Sequence, residues 1–259
     1  MIHFFAGAHK NGSHFQFYVL EEALRQRAIP YRVVGLQEFH SHDLERARKL
    51  LADWLGSDET LLLKGHWHRP RERQLLRHRD AIKVYLIWRD LKDVLISSYH
   101  YRINKFGAED NGFPHFYFEE GGRDLLINQR LYRIAWSGEA VHETSYESLV
   151  DDFQTEARRL LAYAGVKGVD LGALKAETSI GRLRETRDDQ KAVFFRNGAT
   201  GQHRVFDFGE DVALDMEKLI NLGHPALLRE QALEKAKRGL KKIVRSIGIQ
   251  RSSAERNSR

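Results

Sequence analysis

The residues able to do chemistry gather in two short segments. Gly7-Ala8-His9-Lys10-Asn11-Gly12-Ser13-His14-Phe15 follows an apolar run and precedes a helical one. A turn that leaves a strand and opens a helix presents backbone N–H groups and the positive end of the helix dipole, which together hold an anion. Gly7 and Gly12 have the spacing of the phosphate-loop pattern Gly-x4-Gly-Lys-Ser/Thr, but Ser13 stands where its lysine belongs, and the cation sits inside the turn at Lys10. That argues against a nucleoside-triphosphate site with its usual lysine and Mg²⁺-binding hydroxyl. It leaves a phosphate cradle with a differently aimed cation, or simply a glycine turn with a surface lysine. In the second segment the apolar run Val84–Trp88 leads into Arg89, Asp93 and Ser97. Arg89 stands at the carboxyl end of a strand, where open α/β sheets bind ligands. Ser97 follows a little over two helical turns later, so it can share the Arg89 side. A guanidinium and a hydroxyl make a phosphate clamp. The plainer reading is an Arg89–Asp93 pair at a helix start, and Asp93 could also orient Arg89.

These segments need elements that bring strand ends together. Ile2–Ala6 predicts a buried strand, and Ser13 opens a helix to Arg27 with Phe17, Leu20 and Leu24 on one face. Ile29–Gly35, Leu61–Lys64, Lys83–Trp88 and Val141–Ser145 predict further strands. Helices are expected after Ser41 and Asp43, over Leu91–Tyr101, Leu125–Trp136 and Glu147–Ala164, and from Pro225 to Ile247. Strands alternating with helices predict an α/β fold with a central parallel sheet flanked by helices. Arg182–Phe208 predicts an ordered loop. A single domain is expected over residues 1–247, followed by a polar tail that frays from Gly248 to Arg259.

Composition narrows the partners. Lys plus Arg is 42 against 36 for Asp plus Glu, a net charge of +6 that suits an anionic ligand or surface. The absence of cysteine excludes a disulfide scaffold, a thiolate metal site and a thiol nucleophile. No run reaches the roughly 18 apolar residues of a membrane span. The N-terminus has no basic, then apolar, leader pattern, and a cytoplasmic protein is expected.

Taken together, the segments resemble the sulfotransferases that use 3′-phosphoadenosine 5′-phosphosulfate (PAPS), whose fold is related to that of the P-loop proteins. The family's Lys-Ser-Gly-Thr-Thr-Trp loop is here Lys10-Asn11-Gly12-Ser13-His14-Phe15, and its Arg-x-x-x-Asp with a following Ser is Arg89, Asp93 and Ser97. Lys-Thr-His corresponds to Lys64-Gly65-His66, Tyr-Glu-Asp to Tyr146-Glu147-Ser148, and Arg-Lys-Gly-x-x-Gly to Arg196-Asn197-Gly198-Ala199-Thr200-Gly201. Here His14 replaces a hydroxyl residue, Phe15 a tryptophan and Asn197 a cation. The resemblance implies that Lys10 neutralises the leaving phosphate and that His66 is the general base, with His14, His68 and His100 as rivals. It implies that Gly12, Ser13 and His14 hold the 5′-phosphate, with Asn11 in the same loop. Arg89 and Ser97 would hold the 3′-phosphate under Arg196, Asn197 and Gly198. Phe15 and Tyr146 would line the adenine side, with no metal. The acceptor would be a small molecule, glycan or lipid.

The competing enzyme reading is a small-molecule or nucleotide kinase on the same scaffold, which lacks its lysine after Gly12. A catalytically inactive nucleotide-binding module is the other alternative. His40-x-His42 and His66-x-His68 are read as surface or substrate-facing rather than metal-ligating. Arg69, Arg71, Arg73, Arg77 and Arg79 are read as a solvated face, not a nucleic-acid site. Phe113–Phe118 either walls an acceptor pocket or packs. On the C-terminal helix, Leu233, Ala236, Leu240, Ile243, Val244 and Ile247 can form one apolar face. The adopted reading packs that face on the domain. The alternative lays it on an anionic membrane.

Overall fold

The computed structural model describes residues 1–35, 43–67, 69–77, 80–186 and 199–257, with 241–257 as backbone. Five strands, β1 (Ile2–Phe5), β2 (Arg32–Val34), β3 (Leu61–Lys64), β4 (Ile82–Trp88) and β5 (His142–Ser145), form one sheet in the order β2-β3-β1-β4-β5. Every pairing is parallel. Such a sheet needs both faces covered, because its crossovers are helices.

Alternation along the strands divides the core. Phe5, Leu62, Tyr85 and Ile87 point to one face, against Leu20 and Leu24 of α1 (Ser13–Gln26) and Leu160 of α8 (Phe153–Ala164). Phe4, Leu63, Val84 and Leu86 point to the other, against Leu51 of α2 (Leu44–Leu55) and Tyr132 and Trp136 of α6 (Gly122–Trp136). A third cluster joins α4 (Leu91–Phe106), α5 (Phe113–Glu119), α6 and α11 (Glu210–Asn221) through Leu95, Tyr117, Ile127 and Met216.

Several elements differ from the sequence expectation. The helix expected from Glu147 to Ala164 is two, α7 (Tyr146–Asp151) and α8. Asp152 leaves helical geometry at φ −125°, ψ 57°, and its carboxylate accepts from the Thr155 N–H to start the second. The Phe113–Phe118 segment is α5 itself. Phe113 and Tyr117 are buried, while Phe116 both packs in the core and faces a cavity. Pro70 opens the short helix α3 (Pro70–Leu75), where Arg73 pairs with Glu139 at 2.7 Å and is not a free basic face. Past Gly165 come α9 (Leu171–Glu177) and α10 (Ile180–Thr186), so part of the expected loop is helical. Ser41, His40, His42, His68 and Arg79 lie outside the described residues, as do residues 187–198.

The last helix, α12 (His224–Asn257), continues through the segment expected to fray. It is anchored to α6 by Arg123, whose guanidinium donates to Asp215 of α11 at 2.8 Å and to Glu230 and Glu234 of α12 at 2.7 and 2.8 Å. The Tyr117 hydroxyl donates to Asp215 as well, at 2.8 Å. The paired arginine holds Glu230 below the usual carboxylate range.

Candidate active site

Strand register brings the chemistry together. Phe5 lies beside Lys64 and Tyr85, and Trp88 beside Ser145, so the chain leaving β1, β3, β4 and β5 emerges at one edge. The first of these exits is the Gly7–Gly12 turn. Lys10 has φ 65° and Gly12 φ 91°, both left-handed. For a lysine that costs about 1–2 kcal/mol and persists only where the surroundings enforce it. A Cβ on Gly12 would lie 2.4 Å from Tyr146 Cδ2, so glycine is required for close approach as well as for its backbone angle. Asn11 donates to the Ile87 carbonyl at 3.2 Å and ties the turn to β4. Its buried side chain thus positions the loop and is not among the residues lining the cavity. No side chain caps the first turn of α1, which is the state an anion-binding helix N-terminus needs.

The turn opens on a cavity of about 590 Å³. Lys10, Gly12, Ser13, His14, Phe15, Lys64, His66, Arg89, Ser97 and Tyr146 all line it. The Lys10 ammonium stands 3.9 Å above the Tyr101 ring. Lys64 Nζ lies 2.7 Å from His14 Nδ1 and 2.9 Å from its Nε2. Burial, and then the charge of Lys10, push the Lys64 pKa down to about 7. His66 Nδ1 is 2.5 Å from the Gly7 carbonyl. A carbonyl only accepts, so Nδ1 carries the proton and the basic lone pair is on Nε2. The His9 ring sits 3.8 Å from the His66 ring. Desolvation, then Lys64 and Lys10, hold His9 below the usual histidine range. Between Lys64 and His66 the chain has Gly65, where a Cβ would come within 2.9 Å of Phe4 and 3.0 Å of Trp67. Aromatic packing beneath the strand end therefore excludes a side chain there.

Across the cavity, Arg89 lies 4.4 Å over the Tyr146 ring and donates to the Ala199 carbonyl at 3.1 Å. Asp93 does not serve Arg89. It is fully buried at the start of α4, where it accepts from the Gly201 and His203 N–H groups at 2.8 and 2.9 Å and from His203 Nδ1 at 3.0 Å. Asp90, Asp93 and His203 converge to within 4.8 Å, but the Asp93 oxygens are already occupied by these donors. Arg196, Asn197 and Gly198 lie outside the described residues. A second, larger groove of about 1080 Å³ meets the first at His9, His66, Gly121 and Leu125. Its walls include Arg69, which precedes α3, Arg73 of α3, Asn128 and Leu131 of α6, and Leu228, Gln231 and Lys235 of α12.

No protein-family model and no curated protein sequence matches the chain. Solved structures do. A mouse sulfotransferase, SULT7A1, complexed with PAP, superposes with a TM-score of 0.63 at 15% identity, over 84% of this chain and 82% of that one. Retinol dehydratase in complex with androsterone and inactive cofactor PAP gives 0.58 at 16%, over 87% and 83%. Its complex with retinol and PAP gives 0.56 at 17%, over 86% and 83%. This chain has the sulfotransferase fold. On that fold its cavity holds two lysines, Lys10 and Lys64, where the sequence drew attention to one. The signal for Lys64 was its place as the last residue of an apolar strand, level with the glycine turn. Of the rival histidines, His14 is engaged with Lys64, and His100 packs 6.3 Å from the Phe206 ring, away from the cavity lining. Among the described residues, no helix is long and apolar enough to cross a membrane.

Proposed function

We propose that the chain is a sulfotransferase that takes a sulfuryl group from PAPS and delivers it to an acceptor hydroxyl or amine. One observation carries the reading. An uncapped helix N-terminus, Lys10, Lys64 and Arg89 face the same cavity as His66, whose Nδ1 proton is committed to Gly7. That cavity suits a ligand with two separated anionic groups. The first-turn N–H groups of Gly12, Ser13 and His14, with Lys10, suit a 5′-phosphate. Arg89 and Ser97 suit a 3′-phosphate, and Phe15 and Tyr146 form an apolar wall for adenine. Arg196, Asn197 and Gly198 are proposed to complete the 3′-phosphate site. PAPS supplies the sulfuryl group, and the bond that breaks joins that sulfur to the 5′-phosphate oxygen.

The protein's part is positioning and charge. Lys10 faces the negative charge that gathers on the departing phosphate oxygen. His66 Nε2 takes the acceptor's proton as its oxygen or nitrogen bonds to sulfur, and the Gly7 carbonyl steadies the imidazolium through Nδ1. The acceptor enters from the groove that meets the cavity at His66. Adenosine 3′,5′-bisphosphate should raise the thermal midpoint, ATP should not, and labelled PAPS should yield a labelled acceptor in a screen of phenols, glycans and lipids. His66→Ala should cut kcat by about 10²–10⁴-fold with product-nucleotide affinity retained. Stabilisation by ATP alone would support a kinase. Nucleotide binding without turnover on any acceptor would support an inactive module.

A further inference from the structure

The C-terminal helix packs on the domain by the side opposite its apolar one. Leu227 and Glu234 are buried and Glu230 and Gln231 half-buried; Arg123 of α6 donates to Glu230 and Glu234, Gln231 donates to Asn128 at 2.8 Å, and Arg238 reaches Asp124 at 3.0 Å. At about 100° per residue these positions share one side of α12, and Leu233, Ala236 and Leu240 fall on the other. Leu233 is 55% exposed and Leu240 63%. For Leu233, Ala236 and Leu240 the adopted expectation, that this apolar face packs on the domain, is therefore overturned; the side chains of Ile243, Val244 and Ile247 lie outside the described residues. The sequence extends the same spacing with Ile243, Val244 and Ile247.

We propose that this stripe of α12 lies on an anionic lipid surface. From Lys235 to Arg245 the sequence has six basic residues and no acidic one. Two of these six are ion-paired within the protein, Lys237 with Glu234 and Arg238 with Asp124, each at 3.0 Å, and Glu230 and Glu234 are also engaged by Arg123, so the segment keeps an excess of positive charge. An anionic bilayer takes the leucines into its headgroup boundary and attracts the lysines and arginines of the helix's other, polar side, with Lys237 nearest the stripe. Long basic side chains can lie along the interface with their charge in water. At 34 residues, α12 is about 50 Å long, which gives an extended line of contact with a plane.

The test uses the full chain and does not need turnover. The protein should sediment with phosphatidylserine–phosphatidylcholine vesicles at low salt and be released at high salt, and it should stay in solution with phosphatidylcholine alone. Leu233→Glu with Leu240→Glu should weaken partitioning by roughly tenfold or more, since each removes a large apolar side chain from the contact. Both positions are exposed, so the thermal midpoint should not move. Absence of vesicle binding at low salt overturns the proposal. So does equal binding by the double variant, or equal binding to neutral vesicles. A concentration-dependent dimer abolished by the same variant, without vesicle binding, assigns the stripe to self-association instead.

Discussion

Replacing Lys64 by Met tests the electrostatics of the cavity directly. Burial and the neighbouring Lys10 hold its pKa at about 7 rather than 10.5. At 1.36 kcal/mol per tenfold in proton affinity, the ammonium carries a penalty of roughly 5 kcal/mol before any anion arrives. A phosphate charge about 4 Å away, at an effective dielectric constant near 20, returns about 4 kcal/mol. The bound complex should then hold Lys64 protonated up to about pH 10, so nucleotide binding takes up close to one proton between the two values. The dissociation constant of adenosine 3′,5′-bisphosphate should weaken about fivefold from pH 7 to 8 and about eightfold from pH 8 to 9. The phosphate's own second pKa, about 6, lies below this window. Calorimetry in two buffers of different ionisation enthalpy reads both the affinity and the proton count. In Lys64→Met the slope should vanish. His14, against Lys64 Nζ, and Lys10 and His9 are the other groups facing it. An affinity constant within twofold from pH 7 to 9, or an unchanged slope in the variant, would refute the argument.

Acid should destabilise the protein early. His3 and His142 are buried, with pKa values lowered to about 3 and about 4, mainly by desolvation. As pH falls below 6.5 the unfolded chain protonates these histidines and the native state does not, so each should cost about 2 kcal/mol of stability by pH 5. Urea midpoints at pH 7.5 and 5 check this, and His142→Phe should flatten part of the difference. Arg123→Met leaves Asp215, Glu230 and Glu234 without their shared cation, and a loss of about 3–5 kcal/mol is expected by thermal or denaturant unfolding. Glu230→Gln together with Glu234→Gln in that background should recover part of it. Gly12→Ala meets both the Tyr146 ring and a left-handed backbone angle. It should weaken nucleotide binding about tenfold or more, measured by the same calorimetry.

The strands and the first helix were legible because they are short apolar runs bounded by strong signals. Gly7, Gly12 and Ser13 mark the turn, and Asp43 opens α2 by accepting from the Arg46 N–H at 2.9 Å. The ends of β1, β3 and β4 were legible for the same reason, and they carry Lys10, Lys64, His66 and Arg89. The break at Asp152 was not, because Glu147–Ala164 keeps a helical period across it and an aspartate inside such a pattern has no separate signature. Nor was the partner of Asp93. It lies at Gly201 and His203, more than a hundred residues on, and a local pattern offers only Arg89. The orientation of α12 was misjudged because the helix is held by polar contacts from Arg123. Patterning assigns the apolar face inward, and only the tertiary ion pairs reverse it.

The clasp at Asp93 also sets an order on synthesis. All five strands are complete by Ser145, and Arg89 and Asp93 are in the chain long before that. The groups that satisfy them, the Ala199 carbonyl and the Gly201 and His203 N–H groups, arrive long after the last strand. Until they do, a fully buried carboxylate at the head of α4 has no donors to receive, and exposure to water is its only relief. A nascent chain halted before residue 203 would thus carry the sheet and the glycine turn with α4 unsettled at its first turn. The pocket therefore matures only after residue 203 has been made, when all five strands are already in the chain.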